Sequence, residues 1–191
     1  MVNPLRIAVT GTHSTGKTTL LQRMEMELRA SGVNVARTGG SMATKAAALG
    51  FPKLHHQTAD TATWIIAAGV CSELETALNT DVVLVDRAAL DPYAYWKAAS
   101  DLRGHTPEPA EIERLRRLVA LHCDAYSMLI ATVLDPGIPL GDHRDRDPAL
   151  RNAVDAVIHA ELAEQAIAHA QLTSAPGDQN AVINSVLALL G

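Results

Sequence analysis

The chain has 191 residues, of which 48% are hydrophobic and 19% are charged, and its formal net charge is −5. This composition is ordinary for one globular domain with a buried core, and it argues against a protein that binds nucleic acid by neutralising many phosphates. The two cysteines, Cys71 and Cys123, lack the spacing of a zinc site, and we interpret them as thiols in a reducing compartment. No apolar segment is typical of a signal sequence or long enough to span a membrane, so we expect a cytoplasmic protein that does not bind membranes.

Predicted strands and helices alternate along the whole chain. Strands are predicted at 5–10, 34–38, 81–86, 125–132 and 171–174, and helices at 17–28, 41–49, 58–79, 92–100, 108–121, 149–170 and 179–190. Buried strands separated by helices predict a three-layer αβα fold, in which a parallel five-stranded sheet lies between two helical layers. Neither a repeat nor a linker interrupts the pattern, so we expect a single domain over residues 1–191.

Residues 11–18, with the sequence GTHSTGKT, match the phosphate-binding loop pattern G-x-x-x-x-G-K-[ST]. The loop lies between the first strand and the first helix, and its two glycines let backbone N–H groups surround phosphate oxygens. In this pattern Lys17 reaches the β- and γ-phosphates and the hydroxyl of Thr18 holds Mg²⁺. We therefore expect the chain to have a P-loop NTPase fold and to bind ATP with Mg²⁺. The predicted nucleotide-binding residues are Gly11, His13, Ser14, Thr15, Gly16, Lys17, Thr18 and Thr19.

Asp86 and Arg87 come at the end of the strand predicted at 81–86. A carboxylate at this position can reach Mg²⁺ directly or through water, as a Walker-B aspartate does. A guanidinium one residue later can contact the acceptor or the transferring phosphoryl group. The structural alternatives are a helix cap for Asp86 and an ion pair with Asp91 for Arg87. Lys17, Asp86 and Arg87 are thus catalytic candidates.

A charged loop with the sequence DHRDRDP covers residues 142–148, inside a polar segment at about 135–148 that we interpret as a short lid. Negative charge spreads over the equatorial oxygens during phosphoryl transfer, so arginines that close over the nucleotide stabilise the transition state. Arg144 and Arg146 are the catalytic candidates in this segment. Considered alone, a surface loop with paired charges would explain the same residues.

Few aromatic residues are available to frame an acceptor pocket. Trp64, Tyr93, Tyr95 and Trp96 fall in the segments expected to do so. Stacking of a base or pyridine ring on one of them would place the acceptor, although core packing is the commoner role of each taken singly.

Residues 9–20, VTGTHSTGKTTL, resemble the AAA-type ATP-binding domain family that contains the ribosylnicotinamide-kinase domain of the bacterial NAD regulator. The sequence DR at 86–87, followed by DPYAY at 91–95, is similar to the D-R…D…A-Y segment of that family and of thymidylate and deoxynucleoside kinases. DHR at 142–144 loosely resembles the family's lid. The resemblance extends over nearly the whole chain. It implies the small P-loop kinase fold and phosphorylation of a nucleoside-like hydroxyl by ATP·Mg²⁺.

The sequence departs from that family directly after the second strand. Relatives often carry an acidic residue there that can bind the acceptor or act as a base, whereas residues 37–41, RTGGS, contain no carboxylate. A base must then come from Asp60, Asp86 or Asp91, or the reaction depends mainly on positioning. The predicted acceptor-site residues are Asp60, Trp64, Arg87, Asp91 and Tyr95.

Our first hypothesis is an ATP-dependent kinase that transfers the γ-phosphoryl group to a hydroxyl of a nucleoside or nucleoside-like small molecule. A nucleoside monophosphate kinase is the nearest alternative, because an acceptor phosphate would also bind Arg87 and the lid arginines. A regulatory P-loop ATPase that acts through a protein partner is the alternative from another class. The sequence has no N-K-x-D-like motif of a guanine-specific switch, and it leaves a homodimer open as the oligomeric state.

Overall fold

The computed structural model describes residues 3–137 and 147–191. Its strands are β1 (Leu5–Thr10), β2 (Val35–Thr38), β3 (Val82–Asp86), β4 (Met128–Thr132) and β5 (Ala170–Leu172). Its helices are α1 (Lys17–Ala30), α2 (Met42–Ala48), α3 (Ala59–Ala77), α4 (Leu90–Leu102), α5 (Pro109–Cys123), α6 (Pro148–Glu164) and α7 (Asp178–Ala188), and a short 3₁₀ turn covers Leu54–His56. The strands form one sheet in the order β2-β3-β1-β4-β5, in which all pairs are parallel.

The central strand β1 marks the point at which the chain order in the sheet reverses. Ile7 pairs with Leu84 of β3 on one side and with Met128 of β4 on the other. Ligands of open parallel sheets bind at such a reversal, in the crevice beyond the carboxyl ends of the strands. The loop that follows β1 is therefore placed at the ligand-binding edge of the sheet.

Alternation along the strands divides the core between the two faces of the sheet. Ala8 lies in one buried cluster with side chains of α3, α4, α5 and α6, whereas Ile7 and Val9 lie in a second cluster with side chains of α1 and α7. Successive side chains of a strand point to opposite faces, so each face needs its own helical cover. This arrangement confirms the predicted three-layer fold with a five-stranded parallel sheet.

The helix predicted at 149–170 is shorter in the structure, where α6 ends at Glu164. Ala166 adopts a left-handed backbone with φ +51°, and the N–H of Ile167 bonds back to the carbonyl of Leu162 at 3.0 Å. This is the Schellman arrangement, which usually carries glycine at the left-handed position. The turn allows Ala170 to pair with Ile130 at the start of β5. The other predicted boundaries differ from the structure by three residues or fewer.

A capping box fixes the start of α3, the helix that forms one wall of the candidate site described below. The hydroxyl of Thr58 accepts a hydrogen bond from the N–H of Thr61 at 3.2 Å, and the Thr61 hydroxyl accepts one from the N–H of Thr58 at 3.4 Å. These bonds satisfy two donors that the first helical turn leaves without partners. Of the helices in the described part of the chain, none is both long and apolar enough to cross a membrane.

Candidate active site

The loop between β1 and α1 has a backbone shape that favours glycine at two positions. Gly11 has φ +148°, and a Cβ atom there would overlap the Thr132 hydroxyl at the end of β4. Gly16, at φ +83°, caps the N-terminus of α1. Thr15 adds a hydrogen bond between its hydroxyl and that of Thr132, at 2.6 Å. The loop is thereby held against the ends of two neighbouring strands.

Lys17 folds back over the loop that precedes it. Its side chain is buried, and its Nζ donates hydrogen bonds to the carbonyl of Gly11, at 2.8 Å, and to that of Thr12. The hydroxyl of Thr12 is buried and has no hydrogen-bond partner among the described residues. A buried cation, a helix N-terminus and loop amides together favour an anion, so the loop fits the phosphates of a nucleotide.

Thr18 and Asp86 bring two oxygen ligands together between α1 and β3. The Thr18 hydroxyl donates to Oδ2 of Asp86 at 3.3 Å. A Cβ atom on Gly40 would lie 3.1 Å from the same carboxylate oxygen, so glycine keeps that side of Asp86 open. Mg²⁺ prefers oxygen ligands and is commonly held by one or two protein groups together with substrate phosphates. These residues fit such an ion.

Asp91 and Tyr95, one turn apart on α4, form hydrogen bonds that support the phosphate loop. The fully buried carboxylate of Asp91 accepts hydrogen bonds from the Thr10 hydroxyl at 2.7 Å and from the Gly11 N–H at 3.3 Å. Burial raises the pKa of Asp91, while the charges of Lys17 and Arg87 oppose that rise. The Tyr95 hydroxyl accepts the N–H of His13 at 3.1 Å. Both side chains therefore hold the shape of the loop.

Arg87 has a backbone conformation that is unusual for a long side chain. Its φ is +78°, and its guanidinium carbon lies 5.6 Å from the centre of the Tyr95 ring. Burial disfavours its charge, but Tyr95, Asp91 and Asp86 together outweigh that effect and raise the pKa of Arg87. Non-glycine residues with positive φ are uncommon and concentrate at functional sites, where the surrounding structure maintains the strain.

Two cavities adjoin at Arg87. The smaller, of about 260 Å³, is polar and is lined by Ser14, Gly16, Lys17, Thr18, Thr19, Gly40, Asp86 and Arg87. The larger, of about 480 Å³, lies among α2, α3 and the start of α4, and most of its lining is apolar. Arg87 lines both cavities, and the consecutive residues Gly39 and Gly40 line the larger and the smaller respectively. One arginine therefore borders both the predicted phosphate site and a pocket large enough for a small molecule.

The structure brings most of the predicted site residues together, but not all. Asp91 and Tyr95 line the larger cavity as well as supporting the loop. Trp64 packs against Phe51, with ring centres 5.6 Å apart, and lines neither cavity. Asp60 is exposed in the first turn of α3 and lines neither cavity. The predicted lid arginines, Arg144 and Arg146, lie outside the described residues.

Arg151 is a site residue that sequence reasoning missed. It is buried near the start of α6, where its Nε donates to the carbonyl of His13 and its Nη2 to that of Ser14, both at 3.2 Å. These bonds tie α6 to the phosphate loop. Nothing in the sequence distinguishes Arg151 from other helical arginines, because its partners are backbone carbonyls 138 and 137 residues earlier in the chain.

Comparisons with known proteins agree with this fold. The structure of the NadR protein in complex with NR superimposes with a TM-score of 0.67 at 16% identity; the match covers 96% of this chain and 51% of that one, so the chain spans about half the length of that protein. A thymidylate kinase from Ehrlichia chaffeensis has a TM-score of 0.63 at 18% identity, with both chains fully covered. Among proteins of curated function, none matches the sequence.

At these identities the structural likeness establishes the fold alone. The family assignment comes from the sequence, in which residues 6–179 match the AAA domain family from before the phosphate loop to the start of α7. The match includes every residue that lines the two cavities. The chain therefore belongs to the AAA domain family, in its P-loop NTPase fold.

Proposed function

We propose that this chain is an ATP-dependent kinase that transfers the γ-phosphoryl group of ATP to a hydroxyl of a nucleoside or nucleoside-like small molecule. The observation that carries the proposal is the position of Arg87, which lines both the polar cavity beside the phosphate loop and the apolar cavity next to it. A phosphotransferase needs a donor site and an acceptor site that meet at the transferring group. The two adjoining cavities provide that arrangement.

Each residue of the polar cavity has a role in this reaction. Lys17 and the loop amides hold the β- and γ-phosphates, and Arg87 stabilises negative charge as the phosphoryl group moves toward the larger cavity. Thr18 and Asp86 would hold Mg²⁺, which when bound neutralises charge on the β- and γ-phosphate oxygens. We retain Arg144 and Arg146 as predicted transition-state arginines.

The structural neighbours support the kind of acceptor proposed. One was solved in complex with NR, and the other is named a thymidylate kinase. The mainly apolar larger cavity is suited to a flat ring, since pockets for small molecules are largely apolar with a few placed polar groups. This cavity also argues against a regulatory ATPase, which requires no acceptor pocket.

A nucleoside monophosphate kinase is the second candidate, and the positions of the three aspartates considered as general bases favour it. The Asp91 carboxylate already accepts hydrogen bonds from Thr10 and Gly11. Asp60 does not line the larger cavity, and Asp86 accepts a hydrogen bond from Thr18. A hydroxyl acceptor benefits from a general base, whereas a phosphate acceptor is already an anion and requires none. Arg87 would bind such a phosphate.

A panel of acceptors tests the proposal. Purified protein is incubated with ATP·Mg²⁺ and, in turn, nucleosides, nucleoside monophosphates and sugars, and both ADP and product mass are measured. We expect a product heavier by one phosphoryl group from at least one nucleoside or nucleotide, with ADP formed in equal amount. Equal ADP formation with every compound and no phosphorylated product would overturn the proposal and favour a regulatory ATPase.

Gly69→Leu tests whether the larger cavity binds the acceptor. Gly69 lines this cavity, and a Cβ atom added there meets nothing within 4 Å, so the helix accepts a side chain that projects into the cavity. We expect the KM of the acceptor to rise by about tenfold or more while ATP binding is unchanged. Ala67→Leu, at an exposed position of the same helix, is the matched control. An unchanged acceptor KM in Gly69→Leu would place the acceptor elsewhere.

A further inference from the structure

One carboxylate in the larger cavity has no role in the phosphate site. Thr61, Ile65, Gly69 and Glu73 line the cavity from α3, and their spacing of four residues places them on one face of the helix. Glu73 is the last of them along the chain, and only 2% of its surface is exposed. An ionised side chain so well buried needs partners, because removing it from water is costly.

Two side chains from the α5–β4 region hold the Glu73 carboxylate. His122 Nε2 lies 2.9 Å from Oε2, and the Tyr126 hydroxyl donates to Oε1 at 3.4 Å. The Tyr126 hydroxyl in turn accepts the N–H of Ala89 at 3.2 Å. Ala89 also lines the cavity and is only two residues from Arg87. The carboxylate is thus fixed beside residues 87–89, the segment that runs from Arg87, at the border of the two cavities, to Ala89.

These contacts leave part of the hydrogen-bonding capacity of Glu73 unused. A carboxylate offers about four acceptor positions, and the described residues supply one donor to each of its oxygens. A ligand in the cavity can therefore meet a fixed, buried acceptor among mainly apolar side chains. Such an arrangement discriminates strongly between ligands that carry a donor and analogues that lack one, because the unpaired carboxylate remains buried.

We propose that Glu73 is a specificity-determining residue of the acceptor site, and that it accepts a hydrogen bond from an uncharged O–H or N–H group of the acceptor. This inference rests on the proposed function, because it takes the larger cavity as the acceptor site. Two parts of a nucleoside-like molecule carry such donors, the ring edge and the sugar hydroxyls. His122 and Tyr126 position the carboxylate for this contact.

Matched probes test the contact on the wild-type protein without any mutation. Binding is measured by calorimetry for adenosine, thymidine and cytidine. It is also measured for N6,N6-dimethyladenosine, N3-methylthymidine and N4,N4-dimethylcytidine, which lack the N–H donors of the base edge, and for the 2′,3′-dideoxy and 5′-deoxy forms, which between them lack every sugar hydroxyl. Loss of the donor that meets Glu73 lowers affinity by about tenfold to a hundredfold, as for a hydrogen bond to a charged group. The N-methyl series identifies a ring donor, and the dideoxy series identifies a sugar donor.

Glu73→Gln separates this contact from simple steric effects, with Glu75→Gln, an exposed carboxylate of the same helix, as the control. We expect Glu73→Gln to bind the parent probes more weakly and to respond less to donor removal than the wild type, because its amide offers one uncharged acceptor oxygen, while ATP binding stays unchanged. Equal sensitivity to donor removal in wild type and Glu73→Gln would overturn the inference while leaving the kinase proposal in place. If the wild type neither binds nor phosphorylates any probe, both proposals fail. If Glu73→Gln does not fold, the wild-type probe series alone decides. Wild-type affinities that no donor removal changes would then overturn the inference.

Discussion

Arg87 combines a strained backbone with a position at the border of two cavities. A left-handed conformation costs a non-glycine residue about 1–2 kcal/mol, and Arg87 adopts one at φ +78°. Strain of this kind persists only where the surrounding structure imposes it, here through the contact with Tyr95 and the hydrogen bonds of Arg87 and Ala88 N–H to the carbonyl of Val9. Stability alone would not select arginine at this strained position. We therefore infer that its side chain is retained for function.

Two substitutions at this position separate strain from function. Arg87→Ala and Arg87→Gly both remove the guanidinium, but only glycine relieves the left-handed backbone. We expect both variants to lose kcat by about a hundredfold or more. Urea unfolding should show Arg87→Gly to be more stable than Arg87→Ala by about 1 kcal/mol. Equal stability would contradict the strain, and undiminished kcat in both would remove Arg87 from the reaction.

At the scale of single elements, α6 shows where helix propensity gives way to tertiary structure. The sequence AELAEQAIAHAQ at 160–171 favours continued helix, since alanine, leucine, glutamate and glutamine are strong helix formers. The structure nevertheless turns at Ala166, because Ile167 packs against the core and Ala170 pairs with β4. Propensity predicts the helix, but its end is set by contacts with the sheet that the local sequence does not reveal.

Glycine at position 166 should stabilise the protein. Ala166 is exposed, and its left-handed backbone suits glycine better than alanine, so Ala166→Gly should raise the free energy of unfolding by about 0.5–1 kcal/mol. The same change at Ala160, an exposed position within α6, should lower it by about 1 kcal/mol. Chemical denaturation measures both changes in the free energy of unfolding. If Ala166→Gly lowered this free energy, the left-handed backbone at position 166 would not be strained.

At the scale of the whole molecule, the sequence predicts what contiguous patterns encode. The alternation of strands and helices predicted the three-layer fold, and the loop pattern and the strand-end aspartate marked Thr18 and Asp86, which are hydrogen-bonded to each other in the structure. Glu73 and Arg151 could not be found in this way. Each acquires its place only when distant segments pack together, Glu73 with His122 and Arg151 with His13.

The topology explains why one edge of the molecule contains the whole candidate site. β1 lies between β3 and β4, so the phosphate loop after β1 and the Asp86–Arg87 pair at the end of β3 lie side by side. α3 and α4 then close over the same face of the sheet and enclose the larger cavity. In the proposed reaction the acceptor in the larger cavity can react only when the phosphate loop holds ATP, which donates the phosphoryl group.

Calorimetric titration with ATP, in the presence and absence of Mg²⁺, tests most directly whether the phosphate loop binds a nucleotide. We expect the wild-type protein to bind ATP·Mg²⁺ with a dissociation constant between about 1 µM and 1 mM, the range typical of the KM values of enzyme substrates. Removal of Mg²⁺ or the substitution Lys17→Ala should weaken binding by about tenfold or more, whereas Lys45→Ala, at an exposed position on α2, should bind as the wild type does. A folded protein without Mg²⁺-dependent affinity for any nucleoside triphosphate would contradict the account.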